Sequence, residues 1–284
     1  MILAGRRVIV TGSTRGLGRA FALATSAEGA QVVVNGRDAA GVAALVTQVR
    51  DCGGEAVGVT GSVADDAVAQ ALVGACVERY GGVDVVINNA GIVRDRTLLN
   101  MTTEEFDEVV AVNLRGTWSV CRHAAQVMKV AGGGLFLQVI SGSAFIGSFG
   151  QTNYAASKAG VLGMMYAWSY ELQRYNIRTN ALWPVAQTDM TEGVIARHLS
   201  ADGSGRTAED LGFGRPEQIA QAAVYLCSDA AAGLSNQIIL FNGRKLTTFT
   251  HIQESASQVR ESWSPAEIGR ALAGAAEPVY SFRG

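Results

Sequence analysis

Short runs of apolar, often β-branched residues alternate along the chain with longer segments of helical periodicity. Val32-Val33-Val34 belongs to one such run, and its unbroken apolarity is typical of a strand that is buried on both faces. The longer segments have about the length of the helix in a β–α–β crossover. The pattern predicts strands at Arg7–Thr11, Gln31–Asn35, Ala56–Thr60, Val83–Ile87, Leu135–Ile140, Ile177–Trp183 and Gln237–Phe241.

This alternation predicts a parallel sheet with helices on both faces. Neither a Pro/Ser-rich linker nor a short repeat interrupts it, so a single doubly wound α/β domain over residues 1–243 is the simplest architecture. Residues 244–284 are interpreted as a C-terminal extension that packs on the domain or on a neighbouring subunit. Within it, Ser264 is expected to cap a helix from Pro265 to Ala273.

The segment from Ala186 to Gly214 departs from the regular pattern. It is polar and contains Gly193, Gly203, Gly205, Gly212 and Gly214. It also follows the carboxyl end of a predicted strand, which is where ligands bind in such sheets. We interpret it as a mobile lid over a substrate. An ordinary surface loop is the alternative, and the two interpretations are compatible.

The composition narrows the class of protein further. No apolar run approaches the roughly 20 residues of a spanning helix, and Arg6 and Arg7 interrupt any signal-peptide core, so we expect a cytoplasmic protein without a membrane partner. A net charge of −2 gives no basic excess for nucleic acid. The cysteines and histidines lack metal-ligand spacing, so we expect no metal site and expect the cysteines to be buried thiols.

A glycine-rich turn joins the first predicted strand to an alanine-rich helix. Glycines in such a turn allow backbone N–H groups to approach a pyrophosphate at the N-terminus of the helix. The spacing is G-x-x-x-G-x-G, which differs from both G-x-G-x-x-G and the P-loop. Its place between strand and helix predicts a dinucleotide site formed by Gly12, Ser13, Thr14, Arg15, Gly16, Leu17 and Gly18.

The end of the second strand indicates which dinucleotide would bind. An acidic residue there would accept hydrogen bonds from an NAD ribose, whereas Arg37 can pair with the 2′-phosphate of NADP. Arg15 could supply a second cation to the same phosphate. Asp38 comes one residue late for a ribose contact, and we interpret it as the N-cap of the next helix. The sequence therefore favours NADP(H).

Tyr154 and Lys158 open a long predicted helix and share one of its faces. A phenol titrates near pH 10, which is too high for acid–base work at neutral pH, and a close ammonium would lower that value. During carbonyl reduction the phenol would give its proton to the oxygen as hydride reaches the carbon. Taken alone, Y-x-x-x-K is a weak signal that also fits an ordinary pair on a helix surface.

Several further motifs occur in the order and spacing of the short-chain dehydrogenases/reductases. Thr11–Gly18, Asn88-Asn89-Ala90-Gly91, Asn113, Ser141 and the Tyr154–Lys158 pair resemble that family over about residues 4–243. The resemblance implies a Rossmann-like fold with seven parallel strands. It also implies a small-molecule carbonyl or alcohol as substrate, and a homodimer or homotetramer that pairs through helices at Thr102–Val130 and Thr152–Tyr175.

The same resemblance implies a role for each matching residue. Tyr154 would be the acid–base group, with Lys158 lowering its pKa and binding the nicotinamide ribose. Ser141 would hold the substrate carbonyl, with Ser143 as the alternative serine, and Asn113 would anchor a water that serves Lys158. The other residues of the implied cofactor site are Ser62, Val63, Asn89, Ala90, Gly91, Pro184 and Thr188.

Three positions depart from the family pattern. Ser62 stands where an adenine-binding aspartate is usual, Val185 follows Pro184 in place of glycine, and Asn242-Gly243 replaces Asp-Gly. None of these changes removes a catalytic group, although Ser62 could weaken an adenine contact and Val185 could reshape the nicotinamide pocket.

A closer resemblance concerns the substrate. Gly91–Arg96, Leu114–Gly116 and Phe149–Gln151 resemble the (3R)-hydroxyacyl-CoA dehydrogenase unit of the peroxisomal multifunctional enzyme, and bacterial 3-oxoacyl carrier-protein reductases share most of these motifs. The expected activity is NADPH-dependent reduction of a ketone, such as a 3-oxoacyl thioester or a polyketide-like ketone. Oxidation of a secondary alcohol with NAD(P)⁺ is the alternative, and an NADP(H)-binding sensor or scaffold without chemistry ranks below both.

Overall fold

The computed structural model describes residues 1–202, 206–251, 257, 259 and 261–272. Its centre is an eight-stranded sheet with the order β3-β2-β1-β4-β5-β6-β7-β8. The strands are β1 (Arg7–Val10), β2 (Gln31–Gly36), β3 (Glu55–Thr60), β4 (Val85–Asn88), β5 (Gly134–Val139), β6 (Ile177–Pro184), β7 (Ile238–Phe241) and β8 (Leu246–Phe249).

Helices connect these strands and cover the sheet. They are α1 (Gly16–Ala27), α2 (Ala39–Asp51), α3 (Asp66–Tyr80), α4 (Thr103–Val110), α5 (Gly116–Ala131), α6 (Ser143–Ile146), α7 (Thr152–Glu171), α8 (Asp189–Asp202) and α9 (Pro216–Cys227). A further helix, α10 (Pro265–Leu272), follows the last strand in the sequence. A π-helical turn at Ala111–Arg115 joins α4 to α5. In the described part of the chain, no helix is long and apolar enough to cross a membrane.

Alternation along the central strands divides the core into two layers. Val8 and Val10 of β1 pack with α1, α2 and α9 on one face of the sheet. Ile9, between them, packs with α3 and α5 on the other face. Because successive side chains of a strand point to opposite faces, a continuous apolar strand requires helices on both sides. The predicted doubly wound α/β class is therefore confirmed.

The sheet has one strand more than predicted. β8 pairs antiparallel with β7, so the prediction of seven parallel strands holds for β1–β7 and is wrong for the whole sheet. Gly243 has φ of +88°, and Asn242 Oδ1 accepts hydrogen bonds from the backbone of Arg244 and Lys245. Glycine in a hairpin turn accommodates this positive φ, so Asn242-Gly243 begins a turn and is more than a variant of Asp-Gly.

The hairpin also moves the domain boundary. The first compact unit runs from Met1 to Phe249 rather than to residue 243, because β8 belongs to the sheet. The second unit runs from Thr250 to Gly284 and contains α10. Ser264 and Glu267 cap this helix reciprocally, as predicted for Ser264, while Ala273 lies outside the described residues. Among the cysteines, Cys76, Cys121 and Cys227 are buried as expected, whereas Cys52 is exposed.

The strand order reverses direction beside β1. β1 pairs with β2 on one side and with β4 on the other. The chain therefore adds strands outward from β1 in one direction up to β3, and in the opposite direction from β4 onward. In open parallel sheets such a switch point leaves a crevice at the carboxyl ends of the strands. The fold therefore places a ligand crevice where Thr11–Gly18 and Asn89–Gly91 leave the sheet.

Phe136 provides a test of the core. It is fully buried on β5 and packs edge-on against Trp168, with ring centroids 5.9 Å apart. We expect Phe136→Ala to lower the free energy of unfolding by about 3–5 kcal/mol, because it removes a large side chain from a closed site. Urea titration at fixed protein concentration measures this change. Val130→Ala, at an exposed site on α5, is the control, and an equal loss in both variants would contradict the assigned core.

Candidate active site

The glycine loop approaches its neighbours too closely for side chains. Gly12 and Gly16 have φ of +59° and +53°, in the left-handed region that favours glycine. A Cβ on Gly12 would lie 2.7 Å from the Cα of Ala90, and a Cβ on Gly18 would lie 2.2 Å from the carbonyl oxygen of Gly12. The loop therefore packs directly on the segment after β4.

Two asparagines fasten this loop to the sheet. Asn35, buried at the end of β2, accepts a hydrogen bond from the Gly12 N–H at Oδ1 (3.2 Å) and donates to Val59 and Gly61. The side chain of Asn89 donates to the carbonyl oxygens of Thr11 (3.1 Å) and Gly12 (2.9 Å). Asn35 was not among the predicted site residues. A polar residue ending an otherwise apolar strand was the available signal.

The crevice is a cavity of about 680 Å³, which is within the usual range for small-molecule sites. Most residues of the predicted site line it: Gly12, Thr14, Arg15, Gly16, Leu17, Gly18, Arg37, Ser62, Val63, Asn89, Ala90, Gly91, Ser141, Tyr154, Lys158, Pro184 and Thr188. The two that do not are Ser13 and Asn113, which are fully buried behind the wall. The crevice therefore joins the glycine loop and the Tyr–Lys pair in one space.

The cavity suits a dinucleotide at its phosphate end. The N-cap residue of α1, Arg15, offers no side-chain acceptor to the first amides of the helix. Free amides at a helix N-terminus attract anions. Gly16 and Gly18, which follow Arg15 and line the cavity, present backbone without side chains. These residues therefore fit a pyrophosphate between the loop and α1.

The cations at this end differ in their partners. Arg15 Nη1 lies 3.0 Å from Asp189 Oδ2 at the start of α8, and both side chains are largely exposed. Arg37 lines the cavity and forms no ion pair with any residue in the described ranges. Asp38 accepts hydrogen bonds from the amides of Ala40 and Gly41, so its predicted role as an N-cap is confirmed.

Tyr154 and Lys158 lie one turn apart on α7, with only 8% and 4% of their surfaces exposed. Lys158 Nζ lies 5.8 Å from the centre of the Tyr154 ring and donates a 2.8 Å hydrogen bond to the Val139 carbonyl. Burial lowers the pKa of Lys158 to about 8. Burial likewise raises the pKa of Tyr154 to about 12, partly offset by a hydrogen bond with Ser141.

The predicted lowering of the Tyr154 pKa by Lys158 is therefore wrong for this structure. The attraction between an ammonium and a phenolate would lower the pKa of Tyr154, but both groups are also removed from water. Desolvation disfavours the charged form of each group. The result is a phenol that keeps its proton at neutral pH, beside an amine that loses its own more readily than usual.

Ser141 and Ser143 have different surroundings. Ser141 lines the cavity, and its Oγ accepts a hydrogen bond from the Ser143 N–H (3.3 Å). Ser143 is buried, and its Oγ lies 2.9 Å from Ser148 Oγ and 3.1 Å from Gln151 Oε1. Only Ser141 therefore faces the space in front of Tyr154, whereas Ser143 stabilises the turn behind it.

Gln151 and Asp95 extend this network. Gln151 Nε2 donates to both carboxylate oxygens of Asp95, at 3.1 and 3.2 Å, which directs its Oε1 toward Ser143. Gln151 is also the residue before α7, three positions from Tyr154. Neither residue was among the predicted site residues. Their partners lie far apart in sequence, so no local spacing revealed them.

An aromatic stack supports the serine turn from the other side. Trp183 of β6 stacks on Phe145 and on Phe249, with ring centroids 5.3 Å apart in each pair. A Cβ on Gly142 would lie 2.5 Å from the Trp183 ring, so the turn rests directly on the indole. The unpredicted strand β8 thus contributes to the site through Phe249.

Asn113 links the wall of the cavity to α7. It lies in the π-helical turn, a local widening that is frequent at functional sites. Its Oδ1 accepts from the Ile92 N–H (2.8 Å), and its Nδ2 donates to the Ile92 carbonyl (3.0 Å) and to Ser157 Oγ (3.1 Å). The side chain is therefore fully engaged in holding the segment after β4 against α7.

The family departures have modest structural effects. Val185 packs with Trp183 in the core and does not line the cavity, although Pro184 and Ala186 on either side do. Ser62 lines the cavity, and its Oγ accepts a hydrogen bond from the Ala64 N–H. The predicted effect of Ser62 on an adenine contact stays a prediction.

The segment interpreted as a lid contains α8. Ala186 bridges to Gly214, which closes the base of the segment, and Thr191 Oγ1 donates to the Ala186 carbonyl. Thr188 lies beside the glycine loop, since a Cβ on Gly16 would be 3.8 Å from its Cγ2. Gly203 and Gly205 fall outside the described residues. Part of the predicted lid is thus a helix, and its mobility stays a prediction.

A glycine loop and a buried Tyr–Lys pair on one cleft of a doubly wound sheet define a dinucleotide-dependent oxidoreductase. The described residues include no group of three histidine, cysteine or acidic side chains that could hold a metal ion. The sequence matches the short chain dehydrogenase family over residues 6–198. The chain therefore belongs to the short-chain dehydrogenase/reductase family, whose Rossmann-like fold binds NAD(P)(H).

Relatives extend this match over most of the chain. Hydroxyacyl-CoA dehydrogenase ChsB1 of Mycobacterium tuberculosis is 35% identical, covering 95% of this chain and 88% of its own length. The 3-oxoacyl-[acyl-carrier-protein] reductase FabG of Thermotoga maritima is 36% identical, covering 86% and 98%. The mouse peroxisomal multifunctional enzyme type 2 is 37% identical over 80% of this chain and 30% of its own length.

Solved structures agree with these relatives. A short chain dehydrogenase from Mycobacterium avium superposes with a TM-score of 0.82 at 34% identity, covering 96% of this chain and 95% of the other. A 7α-hydroxysteroid dehydrogenase complexed with NADH and 7-oxo glycochenodeoxycholic acid gives 0.77 at 28% identity, covering 85% and 94%. The predicted resemblance to the family is confirmed.

The buried amine of Lys158 predicts a pH-dependent stability. Between pH 8 and 10.5 the unfolded chain keeps this proton, whereas the folded protein releases it. Stability rises with pH wherever the unfolded state binds more protons. We therefore expect the free energy of unfolding of the wild type, relative to Lys158→Met, to increase over this interval by on the order of 1–3 kcal/mol. Urea titrations at several pH values measure it, and a level or falling difference would contradict the assigned burial.

Proposed function

We propose that the protein reduces a ketone to a secondary alcohol with NADPH, and that the ketone is a 3-oxoacyl thioester or a polyketide-like compound. The observation that carries this proposal is the position of Ser141, Tyr154 and Lys158 on the same cavity as the glycine loop. The relatives described as a hydroxyacyl-CoA dehydrogenase and a 3-oxoacyl reductase support the substrate class.

Each of these residues would have a distinct role in the reduction. The cofactor, held by the glycine loop and the N-terminus of α1, would supply hydride to the carbonyl carbon. Ser141 would donate a hydrogen bond to the carbonyl oxygen, and Tyr154 would transfer its proton to that oxygen as negative charge develops. Lys158 would hold the nicotinamide ribose and, when charged, favour the phenolate that remains.

A protonated Tyr154 is the form that can donate a proton during reduction. Reduction requires a phenol that still carries its proton, and a pKa raised to about 12 keeps it there. Oxidation of a secondary alcohol requires the phenolate as base. Oxidation with NAD(P)⁺ is the second candidate, supported by the dehydrogenase names among the relatives. A sensor or scaffold without chemistry ranks lower, because both Tyr154 and Lys158 are present and face the cleft.

Tyr154→Phe tests the chemistry. It removes the transferable proton and keeps the ring, so we expect turnover of any ketone substrate to be abolished while the affinity for NADPH stays within about twofold. Fluorescence titration measures the affinity, and NADPH oxidation measures turnover. Retention of most activity would refute Tyr154 as the proton donor. Cofactor binding by the wild type without turnover across a broad ketone and alcohol panel would instead favour the sensor.

The preference for NADPH rests on the cations of the cleft. Arg37 follows β2 and has no carboxylate partner among the described residues, so its guanidinium can meet a 2′-phosphate without breaking another pair. Arg15 would first have to leave Asp189. The structurally similar 7α-hydroxysteroid dehydrogenase is complexed with NADH, so the fold alone does not select NADPH. The proposed preference for NADPH over NADH therefore depends on Arg37.

Arg37→Asp tests the cofactor assignment. We expect the ratio of NADPH to NADH affinity to fall at least tenfold, because a carboxylate repels the 2′-phosphate and accepts hydrogen bonds from the free ribose hydroxyls. Fluorescence titration with both reduced cofactors gives the ratio. Arg79→Asp makes the same charge change at an exposed site on α3 and should leave it unaltered. An unchanged ratio in Arg37→Asp would overturn the assignment.

We also propose a homodimer or homotetramer that pairs through its long helices. Large apolar side chains are exposed on three of them, namely Phe106 on α4, Trp118 on α5 and Tyr170 on α7. Covering such side chains is a common reason for subunit association. This proposal is separate from the chemistry, since every residue discussed for catalysis comes from one chain.

A further inference from the structure

Several large apolar side chains are exposed on the loops around the catalytic residues. They come from the segment after β4, from the segment between β5 and α7, and from the start of α8. Leu99 and Phe149 are each 93% exposed. We call this set the apolar rim, and its members are Leu98, Leu99, Ile146, Phe149 and Met190.

Backbone contacts bring two of these loops together. The Arg96 N–H donates to the Gly150 carbonyl at 2.8 Å, and Arg96 forms a parallel bridge with Gln151. Leu98 and Leu99 follow Arg96 directly, while Phe149 precedes Gly150. The two loops therefore meet beside the start of α7, the helix that contains Tyr154. Their exposed apolar residues lie close in sequence to this contact.

The apolar rim shares one side chain with the wall of the catalytic cavity. Met190 belongs to the rim and also lines the cavity that contains Ser141 and Tyr154. All three loops leave the carboxyl ends of β4, β5 and β6, where ligands bind in sheets of this kind. A molecule whose carbonyl reaches Tyr154 would thus extend outward over apolar side chains.

The two arginines beside the rim are paired with carboxylates. Arg94 pairs with Glu108 at 2.8 Å, and Arg96 pairs with Glu105 at 3.1 Å. The carboxylate of Asp95 accepts two hydrogen bonds from Gln151. Neither arginine is therefore free to attract an anionic substrate group, and Asp95 is held in place by an amide. Several exposed apolar side chains beside a cavity are typical of a binding surface for an apolar group.

We propose that the apolar rim binds the hydrocarbon chain of the substrate, and that the enzyme acts on 3-oxoacyl thioesters of medium or long chain. This inference rests on the proposed function and adds the substrate class to it. Each methylene group fully buried on the rim would raise kcat/KM about fourfold. The enzyme would thereby select chains long enough to reach from Tyr154 to Leu99 and Phe149.

The test compares chain lengths in the full-length protein. Steady-state kcat/KM is measured with the 3-oxo N-acetylcysteamine thioesters of four and ten carbons, for the wild type, Leu99→Ser, Phe149→Ser and the double variant. We expect the wild type to prefer the ten-carbon substrate at least tenfold. The double variant should lose at least tenfold on that substrate and stay within twofold on the shorter one.

Val130→Ser is the matched control. Val130 is 89% exposed near the C-terminus of α5, which leads into the amino end of β5, away from the catalytic residues. This variant should match the wild type on both substrates. An equal loss on both chain lengths in the double variant would overturn the proposal. Dissociation of an oligomer in sedimentation velocity, together with such an equal loss, would identify the rim as a subunit contact instead.

A binding measurement separates this proposal from the proposed function. Decanoyl N-acetylcysteamine thioester has the chain but lacks the reactive ketone, so calorimetry can follow its binding without turnover. We expect at least tenfold weaker binding by the double variant and unchanged binding by Val130→Ser. If no 3-oxoacyl thioester is reduced, the proposed function fails, yet this loss would still support the apolar rim. Equal affinity of wild type and double variant would overturn it.

Discussion

Gly12 passes the Cα of Ala90 so closely that a Cβ would lie 2.7 Å from it, and this approach organises the active-site half of the molecule. It brings the end of β1 against the segment that follows β4, at the point where the sheet reverses its winding. Asn35 and Asn89 hold the loop there with hydrogen bonds to its backbone. The crevice, its phosphate end and the position of Gly91 all depend on that contact.

From Gly91 the same constraint reaches the catalytic residues. A Cβ on Gly91 would lie 3.7 Å from Lys158 Nζ and 3.4 Å from Asn113 Oδ1, so the wall of the cleft fits closely over both. Asn113 then joins Ile92 to Ser157, which lies on α7 between Tyr154 and Lys158. Backbone and amide groups therefore pack closely around Tyr154 and Lys158. The same close packing removes water from the phenol and the amine and shifts their pKa values in opposite directions.

The parts of the molecule that were predicted are those with a local signal. Unbroken apolar runs located β1–β7, and Asp38 and Ser264 stood where N-caps belong. Asn242-Gly243 is an equally local signal for a hairpin, but the run that follows it, Leu246–Phe249, is too short and too polar to predict a strand by itself. Contacts between residues that are far apart in the sequence give no such local signal. Asn35, Gln151 and Asp95 owe their roles to partners on other loops, and the Tyr154 pKa depends on burial, which a helical spacing of four residues does not report.

Asn35 and Arg37 are two residues apart, yet they serve separate purposes. The side chain of Asn35 points inward and ties together Gly12, Val59 and Gly61. Arg37 faces the cavity and supports no other part of the described structure. The residue that maintains the loop and the residue proposed to bind the cofactor can therefore change independently. If Arg37 selects the cofactor as proposed, a lineage with this architecture could exchange one nicotinamide cofactor for the other by altering position 37, without first acquiring a compensating change to preserve the fold.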